Sequence, residues 1–385
     1  MNKISIFNVD IPSIRIHDMP VWEGMQSKPG VMHSHDFTLI NGNTGPIIQK
    51  FDDHFTNDII DSYNRDDYNF ITAPPGKSLW SISMAEGKMS YLREKIKETK
   101  INKVLEIGCG NTWFAQNFCE EFNPNQYMCI DPAIKEVPIK NISIIRDYFP
   151  SKKLEKNNFD VILAYNVLEH VRDPKILLTS IANSLSSDGI AVICVPDCKR
   201  QFFLGDINSL IHEHMTYYTI DTIKDDLNNC GLKIIEISSQ NDLFTILVKS
   251  KSFVELVVPT SNNKPLFLKA QKAFCFLFNE FLNNLETAMS ENKRIAFHGA
   301  THGLNTFLHV TEFNKYSFSI FDGDQSKHGK FLSAYQVPVK HASEIDYTNH
   351  DILVISAMSF DESIRASAIQ RGYHPDQVIS MGTVF

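Results

Sequence analysis

Residues 104–114, VLEIGCGNTWF, place a Gly-x-Gly turn after a short apolar run and before a run of helical period. Glycines in such a turn let a ligand come close to the backbone, and the N–H groups of the following helix point at it. Glu106 lies in the strand end. Asp131, closing the next strand in YMCIDP, follows Gly108 by 23 positions. That offset suits an acidic residue that holds a ribose hydroxyl pair, expected about 20 positions on. The third glycine of a dinucleotide fingerprint is absent, with Trp113 in its region, so a tight structural turn and an NAD site stand as alternatives to another nucleoside ligand. The second cluster is IHEHMTYY at 211–218. Histidine titrates near neutrality and can take a proton from a substrate, and a neighbouring carboxylate can orient or polarise it. His214 is the candidate general base and Glu213 its partner. His212 and His214 alternate, so on an extended backbone they face one side and could pair on a metal. With no third ligand nearby, no metal is expected.

The elements that must position these residues can be read from periodicity. A helix over 84–99 leads into a strand at 104–107. A helix near 112–122 and strands at 127–130, 142–145 and 159–165 follow. A helix at 174–186, a strand at 190–195, a helix at 217–230 and β-rich runs at 232–238 and 243–249 complete the unit. Strand and helix alternating in this way imply a parallel, doubly wound sheet. One long helix over 264–291 leads to a second, smaller α/β unit with strands at 294–297, 316–321, 352–356 and 378–380. The expected fold is therefore α/β, with units at 84–255 and 256–385. The region 1–83, rich in His, Asp and Asn, shows strands and loops but no fold that can be named.

With 37 Lys+Arg against 45 Asp+Glu, the net charge is −8, which argues against a nucleic-acid partner recognised through phosphates. Apolar residues at 43% exclude a disordered chain. No apolar run nears the ~20 residues of a membrane span, and the start lacks a signal-peptide pattern. Seven cysteines without a CxxC pair read as reduced thiols, so a cytoplasmic protein with no membrane partner is expected.

The nucleoside motifs, continued at Arg146–Phe149 and in FDVILAYNVLEHVRDP at 159–174, resemble the class I S-adenosylmethionine-dependent methyltransferases. The resemblance implies a Rossmann-like domain with S-adenosylmethionine as cofactor. Glu106, Gly108, Gly110, Asp131, Asp147 and Asn166 would hold that donor. IHEHMTYY and the run FSIFDGDQSKHGKFLSAYQVPVKHASEI resemble one narrower family, the nucleotide-sugar C-methyltransferases, over roughly 100–385. These methylate a carbon of a keto-deoxysugar through an enolate. The resemblance implies catalytic roles for His214, Glu213 and His170. It also implies acceptor contacts at Tyr217, Tyr218 and the aromatic stretch holding Tyr63, Tyr68 and Phe70. The turn Gly299-Ala300-Thr301-His302-Gly303 would receive a diphosphate.

The resemblance departs in places. The family tyrosine before Glu-His is Ile211 here, and the family's N-terminal zinc domain has no counterpart, because no cysteine precedes Cys109. His33, His35 and His54 are read as loop or acceptor residues, with a histidine metal site as the alternative. The expected function is C-methylation of a small-molecule acceptor, a nucleotide-linked keto-deoxysugar. The alternatives are O-methylation of a sugar or other small acceptor, and a binding protein without turnover. The oligomeric state is left open.

Overall fold

The computed structural model describes residues 4–7, 13–30, 32–42, 44–50, 52–63, 75–76, 79–96, 101–136, 138–154, 158–240, 242–251, 261–346 and 348–382. Near the N-terminus, strands β1 (Ile4–Phe7), β2 (Ser13–Pro20), β3 (Ser34–Asn41) and β4 (Ile47–Gln49) form an antiparallel meander. Period-two patterning explains it: Ile14 and Ile16 on β2 and Phe37 and Leu39 on β3 are fully buried, while their neighbours are not. The first part of the region without a nameable fold thus contains a sheet.

Its fifth strand comes from far along the chain. β10 (Thr216–Tyr217) pairs antiparallel with β4, setting Thr216 opposite Ile48 and Tyr217 opposite Ile47. A helix was expected from 217; α6 (Ile220–Asn229) starts three residues later. Thr219 is extended and caps α6, its N–H donating to the Thr222 hydroxyl at 3.0 Å in a capping box. Two helices follow the meander, α1 (Asp53–Ser62) and α2 (Leu79–Lys95). Asp52 caps α1 by accepting the N–H groups of His54 and Phe55. The division expected at 83 falls inside α2, and the one expected at 255 lies outside the described residues.

The central sheet has seven strands: β5 (Lys103–Ile107), β6 (Gln126–Ile130), β7 (Ile142–Ile145), β8 (Phe159–Tyr165), β9 (Leu185–Pro196), β11 (Leu232–Gln240) and β12 (Leu243–Ser250). Their order is β11-β12-β9-β8-β5-β6-β7. β5 to β9 run parallel, and β12 lies antiparallel between β9 and β11. β5 is buried from Val104 to Ile107, as a strand covered on both faces must be. The covering helices include α3 (Trp113–Phe122), α4 (Pro174–Ser184) and α6, with α5 (Cys198–Leu204) after β9. α4 begins as its sequence dictates, with Pro174 first and Asp173 accepting the N–H groups of Lys175 and Ile176.

The long helix expected over 264–291 is continuous to Ser290. It consists of α7 (Lys264–Phe276), a π-helical turn (Leu277–Phe281) and α8 (Leu282–Ser290). The last unit is a parallel sheet, β15-β14-β13-β16-β17, built from β13 (Ile295–His298), β14 (Ser319–Asp322), β15 (Lys340–His341), β16 (Ile352–Ile355) and β17 (Val378–Ser380). Helices α9 (His302–Val310) and α10 (Asp361–Gln370) connect it.

One apolar cluster crosses all these divisions. Ile14 and Phe37 of the first sheet, Phe202 of α5, Phe267 and Phe274 of α7, and Phe297 and Phe307 of the last unit belong to it, each fully buried. Phe274 sits edge-on to Phe202 at 6.3 Å between ring centroids. Phe274→Ala should therefore weaken the N-terminal sheet and the C-terminal unit together, by about 3–5 kcal/mol. Denaturant unfolding followed by probes in each unit should show coincident shifts; a shift in one alone would contradict the shared core.

Candidate active site

The Gly-x-Gly turn after β5 is left-handed at both glycines, with φ of 69° at Gly108 and 66° at Gly110. The space matters as much as the angle: a Cβ at Gly108 would stand 2.3 Å from Cγ2 of Val167. The turn is thus clamped against the loop after β8. Asp131, buried at the end of β6, accepts the Gly110 N–H at 2.8 Å on Oδ2 and the Ala133 N–H at 2.6 Å on Oδ1. Burial nevertheless pushes its pKa up. Glu106 is more enclosed. It accepts the Tyr127 hydroxyl at 2.8 Å, and burial raises its pKa to about 8.

A cavity of about 480 Å³ opens over this turn. Its wall contains Glu106, Gly108, Gly110, Asp131, Asp147 and Asn166, the six residues expected to hold the donor. Asp147 accepts the Ser151 hydroxyl at 2.7 Å, which holds its pKa below the usual carboxylate range. Asn166 is left-handed, with φ of 57°, and donates to Glu169 at 3.2 Å. The fit to a nucleoside-bearing donor rests on the turn's open backbone and on the buried carboxyl of Asp131 at the cavity wall. Lys88 of α2 and Tyr165 of β8 also line the cavity, and nothing in the motif spacing marked them.

The same cavity holds two of the three candidate proton-transfer groups, and His214 is not on its wall. His170 and Glu213 line it, together with Tyr63 at the end of α1. The Tyr63 hydroxyl donates to Oε2 of Glu213 at 2.7 Å and stands 3.5 Å from Nδ1 of His170. Nδ1 of His170 also lies 3.1 Å from the Glu213 carbonyl oxygen, a contact that makes Nδ1 the donor and leaves Nε2 with the lone pair. The His214 ring stands against His170 edge-on, with centroids 4.9 Å apart, and makes no hydrogen bond among the described residues. Burial holds His170 down to about 4, and His214 also falls well below its ordinary value. Glu169 is almost wholly enclosed, its pKa raised by burial to about 7 and its Oε2 without a partner among the described residues.

Several expected contacts are placed elsewhere. His212 and His214 do not share a side, because Ile211–His214 is a turn closed by the His214 N–H on the Ile211 carbonyl at 3.0 Å. His212 instead points at the first sheet, 3.2 Å from the His35 carbonyl, among the rings of Phe37 and Phe55. Among the described residues, Glu169, His170 and His214 form the one three-residue group whose ligand atoms lie within 4.8 Å of one another. Tyr217 packs on Phe202 in the apolar core, and Tyr218 is fully buried and donates to Asp226 at 3.2 Å. Both are off the cavity wall, because β10 and its successor turn them inward. Tyr68 lies outside the described residues. Gly299 is tied to its own sheet, donating to the Phe321 carbonyl at 2.8 Å and accepting the Ser356 hydroxyl at 2.6 Å, and His302 is drawn to Asn208. Nε2 of His302 is 2.8 Å from the Asn208 carbonyl, and the Gly303 N–H donates to the Asn208 side chain at 3.2 Å. Thr301 accepts the Leu304 N–H, so two leading N–H groups of α9 are already satisfied.

Residues 83–237 match the family model of the methyltransferase domain, and residues 267–373 match that of the C-methyltransferase C-terminal domain. A tRNA U34 carboxymethyltransferase of Campylobacter lari is 28% identical over 118 residues, 28% of this chain and 39% of that protein. A malonyl-[acyl-carrier protein] O-methyltransferase of Bacillus cereus is 25% identical over 114 residues, covering 28% of this chain and 42% of the relative. The chain thus spans about two fifths of the length of these relatives. Among solved structures, the 1,6-didemethyltoxoflavin-N1-methyltransferase of Burkholderia thailandensis superposes with a TM-score of 0.40 at 13% identity, over 61% of this chain and 100% of that one. The central unit has the Rossmann-like class I methyltransferase fold, and S-adenosylmethionine is its cofactor.

Two outcomes follow from the geometry. Asp131→Ala should weaken binding of S-adenosylhomocysteine by about 1.5–3 kcal/mol in calorimetry, and unchanged affinity would place the ribose elsewhere. Glu106 carries a folded-state pKa raised to about 8, above its unfolded value. Its contribution to stability is present at low pH and lost as pH rises through 8. Glu106→Gln should therefore reduce the fall in denaturant midpoint between pH 6 and 9, and an unaltered fall would refute the assignment.

Proposed function

We propose that the protein methylates a carbon next to the ketone of a nucleotide-linked keto-deoxysugar. The observation that carries this reading is the set Tyr63, Glu213 and His170 on the wall of the donor cavity, with His214 directly behind. The match of residues 267–373 to a C-methyltransferase C-terminal domain supports carbon as the methylated atom.

When bound, S-adenosylmethionine supplies a methyl group carried on a positively charged sulfur. The chain's own groups have to make the acceptor carbon nucleophilic. His214, one ring behind the wall, takes the proton from the carbon beside the carbonyl once the acceptor reaches past His170: burial keeps its imidazole neutral, and no hydrogen bond among the described residues occupies its ring nitrogens. The electron pair of the broken C–H bond moves onto the carbonyl oxygen as an enolate. The Tyr63 hydroxyl, which donates its one proton to Glu213 in the structure, stabilises that oxygen by turning the proton from Glu213 onto it when the acceptor is bound. His170, fixed through Nδ1 to the Glu213 carbonyl, holds the turn and the His214 ring in register. Packing around the loop then positions two substrates in one enclosed space, which supplies much of the remaining acceleration.

The test is mass spectrometry in heavy water with a panel of nucleotide-linked keto-deoxysugars. Deuterium uptake without donor and a methyl gain with it are expected; His214→Ala should remove both while leaving donor affinity within about twofold. Donor binding with neither change would favour O-methylation, a reaction named for the Bacillus cereus relative. The pH profile adds a second check. Because burial holds the neighbouring His170 to about 4 and His214 below its ordinary value, the histidine limb of the kcat profile at saturating donor should lie below about pH 5. A decline centred near 6.5 would mean a solvated histidine is the base.

A further inference from the structure

We infer that Lys88 holds the carboxylate of the methyl donor's amino-acid end and so fixes which way round the donor lies. The inference rests on the donor occupying the cavity over the glycine turn.

Two cations stand among the residues that line this cavity, Lys88 and Arg172. Arg172 is spoken for: it pairs with Asp53 and donates to Asn57 at 3.4 Å, tying the loop after β8 to α1. Lys88 differs. Its Nζ lies over the Tyr165 ring, 4.5 Å from the centroid, and among the described residues it makes no hydrogen bond and no ion pair. The nearest acidic groups are engaged by neutral partners, Glu106 by the Tyr127 hydroxyl and Glu169 by the Asn166 amide. Burial lowers the Lys88 pKa, the sign of an ammonium taken from water without full compensation. An ammonium resting on an aromatic face beside an open volume is a socket for an anion.

The donor has one anionic group, its carboxylate, beside an ammonium. Glu106, Asp131 and Asp147 are all carboxylates, suited to the ammonium, the ribose hydroxyls and the adenine amine, and each would repel a second carboxylate. Lys88 on α2 therefore presents a cation to the donor's carboxylate, while Glu106 at the end of β5, its pKa raised by burial to about 8, offers the donor's ammonium an acceptor oxygen. Reversal of the donor would set its carboxylate against Asp131 or Asp147. The polarity of the pair thus directs the adenosine toward the end of β6 and the sulfur toward the wall bearing His170 and Glu213.

The test compares ligands with and without the carboxylate on the full chain by calorimetry. The wild type should bind S-adenosylhomocysteine about 10- to 100-fold more tightly than 5′-methylthioadenosine, and Lys88→Met should erase that preference. Affinity for 5′-methylthioadenosine should stay within about twofold in the variant, which also shows that the cavity is intact. Lys88→Arg should recover part of the preference. Equal loss of both ligands, or full affinity of Lys88→Met for S-adenosylhomocysteine, overturns the inference while leaving the donor site standing. Failure of the wild type to bind either ligand would instead remove the donor reading and the inference with it.

Discussion

Met215 is held from two sides by its own backbone. Its N–H donates to the Glu169 carbonyl at 2.7 Å, and its carbonyl accepts the Gln49 N–H at 3.0 Å. Through that residue the loop after β8, which faces the donor, is joined to the last strand of the N-terminal meander. The turn Ile211–His214 hangs immediately before it, and β10 immediately after. Buried backbone groups lose more by going unpaired than they gain by pairing, so the two bonds constrain the turn strongly. The positions of Glu213 and His214 follow from this seam. So does that of Tyr63, which reaches Glu213 from the far end of α1.

Burial then sets the charge state of everything near the seam. Glu106 and Glu169 are pushed up to about 8 and about 7, while His170 is pulled down to about 4. The two shifts have one cause, the cost of a charge without water, and opposite effects on the two residue types. At neutral pH the imidazoles are uncharged, each keeping one N–H and one lone pair, and the carboxyls stand near their midpoints. The opposing shifts also give stability an optimum. Acidification must protonate the unfolded histidines first, and alkalinisation must ionise buried carboxyls in the folded state. Enclosure that makes the site chemically poised therefore carries a stability cost at both ends of the pH range.

The sequence disclosed what depends on short-range geometry. A glycine turn, a strand of continuous apolar residues and an acid 23 positions on are local facts, and Gly108, Glu106 and Asp131 lie together on the cavity wall. The caps Asp52, Asp173 and Thr219 also act within three positions, yet none of them is singled out from the sequence. The rest of what escaped was non-local. Two residues at 216–217 look like the start of a helix until Ile47 and Ile48 supply a partner strand. Tyr217 and Tyr218 read as acceptor contacts because aromatic composition says nothing of which way a side chain turns. Lys88 sits in a helix whose neighbours are unremarkable, and only the fold brings it over Tyr165. Asn208, which occupies the start of α9, carries no motif at all.

The shared strand bears on how such a protein can be rebuilt. A chimera that exchanges the N-terminal portion to alter acceptor choice would ordinarily be cut in the stretch between the meander and α2. Here that cut leaves the incoming module facing a strand shaped for another partner, since Thr216 and Tyr217 complete the outgoing sheet. The natural unit of exchange is discontinuous: the meander travels with the segment from Ile211 to Tyr217, or neither moves. Variation in the first fifty or so residues and in that short internal segment is then a single variable, inherited or engineered as a pair.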